Sequence, residues 1–460
     1  MTQLRSITLG ASLIALAACA DSPTIVTPTL SPATAQSEAN SPLKRYVAIG
    51  TSISMGWQSE GANAASQREG WPAQLAALSG TTFELPLISG FGCKAPFAAP
   101  LASGRRISGE PVTTPDDQLS CAPLVSGIDL PTRNVAIAGA TTFDALYRTP
   151  ETVPSVFGQS LYSRILPPGT TQLHAALNQR PRVISVELGA NEVLGARSGI
   201  AIVGVSIFPP NAWMPLYRAL VDTVVMKTPQ VVVVGLIKDA ASFPSFRRGA
   251  EIFVDAPTML GAFNVMVSSD CDGSQNLIFV PVRIPTAVSI GLTNRANNLP
   301  PFVFSCADGG TGVPDYVLTP AEAGIVNQTL AQMTSFIKSV ADRHRLAYFA
   351  LEELYGLPGL KPTFSAVQLM TSAQPYGSYI TLDGIHPSAA GSAVLARAAA
   401  QALNARYNLH LPDGTPFIAS RTALVVRGRS PESGGRSRGG FRTRWPASYP
   451  SSVRTGCSRS

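Results

Sequence analysis

The sequence has little charge and little histidine. Only 14% of its 460 residues are Asp, Glu, Lys or Arg, and it contains four histidines. Its six cysteines do not have the spacing of metal ligands, so we expect no metal ion and no other cofactor. The apolar run at 7–16 is too short to span a bilayer. A content of 45% hydrophobic residues, with 39 glycines and 38 prolines, indicates a globular protein with many surface loops.

The excess of positive charge belongs to a C-terminal tail at 412–460. From Arg421 onward there are nine arginines and one glutamate, a charge of +8 against +7 for the whole chain, so the first 420 residues carry −1. The aromatic residues of the tail are scattered and form no nucleic-acid-binding module, so we expect no nucleic-acid partner. Two interpretations stay open: a disordered basic tail, or out-of-frame coding sequence after about Leu424.

The N-terminus has the pattern of an export signal. Arg5 precedes the apolar run, and the sequence Leu-Ala-Ala-Cys at 16–19 resembles a bacterial lipobox, whose cysteine is lipidated. We therefore expect a signal peptide at 1–18, lipidation of Cys19 and a Ser/Thr/Pro-rich tether at 19–43. Because Ala20, and not an aspartate, follows Cys19, the sorting pattern of such lipoproteins favours the outer membrane. An ordinary signal peptide is the alternative.

Short apolar runs alternate with helical patterns along the rest of the chain. The run at 230–237, with four consecutive valines, is typical of a strand buried on both faces of a parallel sheet. The alternation predicts a doubly wound α/β fold. Strands are expected at 46–49, 134–142, 181–188, 230–237 and 346–351, and helices at 71–78, 210–226, 320–340 and 388–407.

Two long segments lack a clear period and are interpreted as loop insertions. Residues 93–131 are rich in Pro, Gly and Ser, and residues 241–317 are irregular and in position to rim or cover a site. The first segment contains Cys93 and Cys121, and the second contains Cys271 and Cys306. In an exported protein these cysteines are candidates for two disulfides within the segments, although other pairings stay open. Cys457 is left over.

Ser52 is the candidate nucleophile. It follows a short buried strand and Gly50, at a strand–turn–helix junction that exposes a hydroxyl beside backbone N–H groups. A serine hydroxyl needs a base within hydrogen-bond reach, and the base needs an orienting acid. His386 is the best candidate for the base, because Asp383 precedes it by three residues in a glycine-containing loop. A helix-capping role for this Asp–His pair is the alternative.

The reaction of such a serine also needs hydrogen-bond donors for a developing oxyanion. Ser52, Gly139 and Asn191 each come just after a predicted strand, and the carboxyl ends of parallel strands share one edge of a sheet. The backbone N–H groups of Ser52 and Gly139 and the side-chain amide of Asn191 are the candidate donors. A simple turn at Gly139 and a loop cap at Asn191 are the alternatives.

The order of these motifs resembles that of the SGNH (GDSL) hydrolase family. Gly-Thr-Ser, Asn-x-x-x-x-Gly, Gly-x-Asn and Asp-x-x-His-Pro follow one another between about 44 and 411. The resemblance implies a flavodoxin-like three-layer αβα sandwich around a parallel five-stranded sheet. It also implies a serine ester hydrolase acting through an acyl-Ser52 intermediate, with His386 as base, Asp383 as orienting acid, and oxyanion donors at Ser52, Gly139 and Asn191. The expected partner is a small-molecule, lipid or glycan ester.

Two residues depart from the family pattern. Thr51 and Glu192 stand where the family usually has aspartate. They favour an alternative, a non-catalytic lipid- or glycan-binding lipoprotein with a degenerate hydrolase fold. Among enzymes, a lipase or phospholipase, a carbohydrate deacetylase and an acyltransferase stay open, and the sequence leaves the substrate and the oligomeric state undetermined.

Overall fold

The structure, a computed structural model, describes residues 41–413. The predicted signal peptide, Cys19, most of the tether and the tail from 414 lie outside the described residues, so these expectations stay predictions. No helix within 41–413 is long and apolar enough to cross a membrane.

Nine strands and fifteen helices are formed within the described range. The strands are β1 (Tyr46–Gly50), β2 (Val183–Glu187), β3 (Gln230–Gly235), β4 (Phe246–Arg248), β5 (Val265–Val267), β6 (Leu277–Phe279), β7 (Phe302–Phe304), β8 (Val317–Leu318) and β9 (Ala347–Ala350). The helices are α1 (Ser52–Met55), α2 (Ala64–Glu69), α3 (Trp71–Leu78), α4 (Thr142–Tyr147), α5 (Val156–Tyr162), α6 (Gln172–Asn178), α7 (Asn191–Leu194), α8 (Pro210–Lys227), α9 (Gly249–Val254), α10 (Ala256–Phe263), α11 (Val280–Ala296), α12 (Pro320–His344), α13 (Glu352–Tyr355), α14 (Ala366–Thr371) and α15 (Ala389–Tyr407).

The central sheet is parallel and has the strand order β1–β2–β3–β9. Its register aligns Tyr46 with Val183 and Val183 with Gln230, so the strand ends are level along one edge. All residues of β1 and β2 are buried, as is the valine run of β3. Burial on both faces follows from the nearly continuous apolar character of these strands and confirms the predicted α/β class.

The sheet has four strands, and the prediction of five is wrong. The segment at 134–138 does run along β1, where the Val135 N–H donates to Ala48 O (3.0 Å) and the Ile137 N–H donates to Gly50 O (3.0 Å). A regular ladder would direct the Gly50 N–H to this segment, but it donates to Oε1 of Gln172 (3.4 Å). Only one bridge, between Ala48 and Asn134, therefore forms.

Helices cover both faces of the sheet, as in the expected three-layer sandwich. Helices α3 and α15 pack on one face, and α4, α6, α8 and α12 pack on the other. The ring of Trp71 meets Phe349 of β9 edge-on at 5.5 Å, and Trp213 meets Phe336 at 5.9 Å within the opposite layer. Helix α12 begins at the predicted capping box, in which Thr319 and Glu322 cap one another.

The segment at 241–317 is not irregular, as the sequence suggested, but contains five short strands and three helices. Strands β4, β6 and β8 form an antiparallel sheet, and β5 pairs with β7. Strands of two or three residues are too short to show a period in the sequence. Pro285 inside α11 also weakens the helical pattern there.

Both predicted disulfides are confirmed. Cys271 is bonded to Cys306 in the 241–317 segment, and Cys93 is bonded to Cys121 in the 93–131 segment. The 93–131 segment is largely irregular, as predicted, apart from short 3-10 turns at Leu101–Ser103 and Asp116–Gln118.

Candidate active site

Ser52 is the first residue of α1, immediately after the carboxyl end of β1. The turn is tight at Gly50, where an added Cβ would lie 2.6 Å from Ser54 Oγ and 3.1 Å from Glu187 Oε2. Only glycine fits this close approach. Ser52 is 7% exposed, so its hydroxyl lies at the bottom of a cleft and not on the outer surface.

The buried carboxylate of Glu187 fixes the turn. It accepts hydrogen bonds from Thr51 N (3.0 Å), Thr51 Oγ1 (2.9 Å), Ser54 N (3.3 Å) and Ser54 Oγ (2.9 Å). Burial raises the pKa of Glu187, and the hydrogen bonds from Thr51 and Ser54 oppose this. Sequence reasoning missed Glu187, whose only signal was a glutamate at the end of an apolar strand.

His386 and Asp383 lie beside Ser52 in a continuous chain of hydrogen-bonding atoms. His386 Nε2 is 3.0 Å from Ser52 Oγ, and His386 Nδ1 is 2.8 Å from Asp383 Oδ2. Ser52 and His386 are 334 positions apart in the sequence. The structure therefore brings together the predicted nucleophile, base and acid.

Asp383 accepts hydrogen bonds from backbone N–H groups as well as from the ring of His386. Its carboxylate also accepts backbone N–H bonds from Glu60 (2.8 Å), Ile385 (2.9 Å) and His386 (2.9 Å). Burial opposes ionisation, but the charge and ring N–H of His386 and the backbone N–H groups of His386 and Ile385 outweigh it and lower the pKa of Asp383 to about 2. Burial likewise opposes charge on His386, yet the adjacent Asp383 raises the pKa of the imidazole above its ordinary value.

The three predicted oxyanion donors surround one cleft with His386. Gly139 has φ of +79°, in the left-handed region that favours glycine. Among the described residues, the backbone N–H groups of Ser52 and Gly139 have no hydrogen-bond acceptor. Asn191 Nδ2 donates to Ala140 O (2.8 Å), which leaves its second amide hydrogen available to the cleft.

Glu192 links the segment that follows Gly139 to the segment that contains Asn191. Its Oε1 accepts a hydrogen bond from Thr142 N (2.7 Å), three residues beyond Gly139, while the neighbouring Asn191 faces the cleft. Burial raises the pKa of Glu192. The hydroxyl of Thr142 accepts a second hydrogen bond, from Trp213 Nε1 (2.8 Å). The departures at Thr51 and Glu192 thus have structural roles in the loops around the serine.

Two cavities open on either side of Ser52. One is lined mainly by apolar side chains, the other also contains Glu60, Lys94 and Asp116, and Arg197 lines both. Neither is a metal centre. In the described part of the chain, one cluster has metal-ligand atom types, namely Asp270, Cys271 and Cys306, and both of its cysteines are consumed in a disulfide.

Fold and site together define an α/β protein with a Ser–His–Asp arrangement at the carboxyl edge of a parallel sheet. No family model and no curated protein matches the chain. Similar solved structures include the acetylxylan esterase Axe2 from Geobacillus stearothermophilus, with 11% identity and a TM-score of 0.33, covering 78% of this chain and 93% of that one. Another is a protein from Parabacteroides merdae provisionally described as a GDSL-like lipase, with 12% identity and a TM-score of 0.31, covering 78% and 94%. At these TM-scores the likenesses carry no weight, and the functional argument rests on the site itself.

Proposed function

We propose that the protein is a serine ester hydrolase of the SGNH type. The observation that carries the proposal is the chain of contacts from Ser52 Oγ to His386 Nε2 (3.0 Å) and from His386 Nδ1 to Asp383 Oδ2 (2.8 Å). This is the geometry that an activated serine requires. The non-catalytic alternative is not favoured, because a decayed site has no reason to keep this alignment.

The reaction follows from the positions of the protons. Neutral His386 takes the hydroxyl proton of Ser52 through Nε2 as Oγ attacks the ester carbonyl carbon. Asp383 accepts the Nδ1–H of His386 and stabilises the imidazolium. His386 then donates its Nε2 proton to the leaving alcohol, and an acyl-Ser52 ester remains. Water, deprotonated by His386, hydrolyses this ester and regenerates the serine.

The negative charge of the tetrahedral intermediates develops on the carbonyl oxygen. The N–H groups of Ser52 and Gly139 and the amide of Asn191 are the proposed donors to that oxygen. Because they are fixed before reaction, they stabilise the transition state without reorganisation, and each such donor contributes about 2.7–4 kcal/mol.

Ser52→Ala tests the proposal. We expect kcat for a short-chain aryl ester to fall by at least about 10⁴-fold, with labelling by a fluorophosphonate probe abolished. Ser163→Ala is the matched control, since Ser163 is an exposed serine whose hydroxyl donates only to Gln159 O. Activity that survives in Ser52→Ala would rule out the acyl-Ser52 mechanism.

We further propose that the protein is exported and anchored to a membrane, the outer membrane in particular, through lipid on Cys19. The lipobox-like sequence at 16–19 supports this, and two disulfides suit an oxidising compartment. Metabolic labelling with a radioactive fatty acid should mark the wild type and not Cys19→Ser. Equal labelling of both would contradict the anchor, and fractionation of the labelled cells would identify the membrane.

A further inference from the structure

All strands of the central sheet begin at one edge, opposite the edge that carries the candidate active site. The register places Tyr46 beside Val183 and Val183 beside Gln230, while Ala347 lies beside Val232. The segments that lead into β1, β2, β3 and β9 therefore lie together at this amino edge. Helices α6, α8 and α12 end there too, because each is followed within a few residues by one of these strands.

The amino edge is rich in exposed cations. Eight lysine and arginine side chains occupy it, namely Lys44 and Arg45 before β1, Arg180 and Arg182 before β2, Lys227 before β3, Arg343 and Arg345 before β9, and Arg406 at the end of α15. Two backbone contacts show how close these segments are: the Arg182 N–H donates to Arg45 O (3.2 Å), and Arg406 Nε donates to Arg345 O. We call these eight residues the amino-edge surface.

Few acids offset the amino-edge surface. No ion pair within 41–413 involves any of its eight side chains. Asp342 pairs with Lys338 at 3.1 Å, so this pair adds no net charge. The other carboxylates in these segments and in the last two turns of these helices are Asp222, which lies 2.7 Å from His344, and Asp413. The cations are therefore in clear excess.

This excess is local, because residues 41–413 as a whole are neutral. The first 420 residues carry −1, which residues 1–40 account for with one arginine and two acids, and residues 414–420 have no charged side chain. Cations at a helix C-terminus interact favourably with its partial negative charge. That explains Lys227, Arg343 and Arg406, but not Lys44 and Arg45, which lie in the turn before β1.

An anionic phospholipid bilayer is the partner that fits this surface best. Its headgroups spread negative charge over a wide area, and each Lys or Arg close to them strengthens binding by about fivefold. The described chain also begins at this edge, where the Tyr46 N–H donates to Leu43 O (2.9 Å) and the Lys44 N–H donates to Ser41 O (3.0 Å). Cys19, the candidate lipidation site, precedes Ser41 by 22 residues, which span at most about 75 Å. A lipid anchor there would keep the amino-edge surface within reach of the bilayer.

We propose that the amino-edge surface docks on anionic phospholipid headgroups and so orients the protein on the membrane. Strand β1 has five residues, a length of about 16 Å, and Ser52 follows its far end. The candidate active site therefore faces away from the bilayer and stays open to the aqueous phase in the docked protein. This docking goes beyond the proposed hydrolysis and does not depend on it.

Binding to vesicles tests the proposal. The full chain with Cys19→Ser is compared with the same chain that also carries Arg45→Gln, Arg182→Gln and Arg345→Gln, so no lipid is attached and the regions outside 41–413 are identical. With vesicles of phosphatidylcholine containing about one third phosphatidylglycerol, at an ionic strength of about 0.1 M, the three substitutions should weaken binding by about tenfold or more. With pure phosphatidylcholine vesicles they should change binding little.

A charge-matched control separates this surface from the total charge. Arg105→Gln, Lys238→Gln and Arg248→Gln remove three exposed cations from the 93–131 segment, from the loop after the carboxyl end of β3 and from the end of β4. This control should bind anionic vesicles nearly as well as the parent chain, and thermal denaturation would check that both triple variants are folded. Equal weakening in the two triple variants would overturn the proposal. Unchanged vesicle binding of the amino-edge variant, with a loss of binding to a DNA duplex, would also overturn it and assign the surface to nucleic acid.

Labelling of Ser52 tests the orientation. A fluorophosphonate probe should react with vesicle-bound protein at nearly the same rate as with free protein, because docking leaves the cleft open. A rate that falls in proportion to the bound fraction would mean that the bilayer covers the site, and would overturn the orientation. Absence of labelling without vesicles would contradict the proposed function and not the docking, which vesicle binding measures by itself.

Discussion

Thr51 donates both its backbone N–H and its hydroxyl to the buried carboxylate of Glu187, at 3.0 and 2.9 Å. Thr51 stands where the resembled family usually has aspartate, directly before the candidate nucleophile. The hydroxyl of Thr51 suits this position better than a carboxylate would, because it can donate a hydrogen bond to the carboxylate of Glu187. Ser54 completes the arrangement by donating to the same carboxylate and accepting a bond from Trp71 Nε1 (3.1 Å).

Introducing an aspartate at position 51, as in the resembled family, should therefore harm this protein. Thr51→Asp would place two carboxylates in contact in a site that water does not reach. We expect the free energy of unfolding to fall by about 3–5 kcal/mol, measured by urea denaturation. Thr51→Ser, which keeps the hydroxyl, should stay within about 1 kcal/mol of the wild type. The double variant Thr51→Asp/Glu187→Gln should recover much of the loss, and a stable Thr51→Asp single variant would contradict this account.

The second departure from the family pattern makes a parallel prediction. Glu192 reaches Thr142 N with Oε1, and aspartate is one methylene shorter. Glu192→Asp should leave the buried Thr142 N–H without its acceptor and lower stability by about 1–3 kcal/mol. Glu192→Gln keeps an acceptor oxygen and should be the milder change. Thermal denaturation of the two variants would compare them, and equal stability would count against the Thr142 bond.

The contrast between Ser52 and Glu187 shows what the sequence could and could not predict. Ser52, Gly139, Asn191, Asp383 and His386 were identifiable because each belongs to a short motif beside a strand end. Glu187 acts through a contact with Thr51 across 136 positions, and no local pattern encodes such a partner. The same holds for the Glu60 N–H that supports Asp383 from 323 positions away.

The 241–317 segment differs from its predicted irregular structure for another physical reason. Its strands β4, β6 and β8 have only two or three residues each, and their stability depends on pairing with one another. Periodicity needs longer windows than these. As a result, the walls of the apolar cavity at Phe246 and Leu318 could be placed only from the structure.

The side-chain amide of Asn191 should act mainly in the transition state. Asn191→Ala is expected to lower kcat by about 10²–10³-fold with little change in KM, because the carbonyl oxygen gains its charge only during attack. Asn297→Ala is a suitable control, since the Asn297 amide also donates to a backbone carbonyl at 2.8 Å but lies in an exposed helix terminus. A rise in KM with unchanged kcat would assign Asn191 to ground-state binding instead.

The pH dependence of kcat/KM should follow the protonation of His386. The neutral imidazole is the reactive form, and the adjacent Asp383 raises the pKa of His386 above its usual 6.5 despite burial. Activity should therefore fall as the pH is lowered through a midpoint above 6.5. Because Glu60 also raises and Arg197 lowers the pKa of His386, Arg197→Gln should move that midpoint upward.

Asp383→Asn separates this electrostatic effect from general damage to the site. Without the carboxylate, burial is the largest remaining effect on the pKa of His386, Arg197 acts in the same direction, and only Glu60 opposes them. The midpoint of the acid limb should therefore move below 6.5, while kcat falls by about 10⁴-fold because the imidazole is no longer held in the reactive tautomer. The midpoint is read from the ratio of rates at each pH, so the loss in kcat does not obscure it. An acid limb whose midpoint stays above 6.5 in Asp383→Asn would mean that a group other than His386 titrates. Glu187 and Glu192 would then be the carboxyls to substitute next, because burial raises their pKa values.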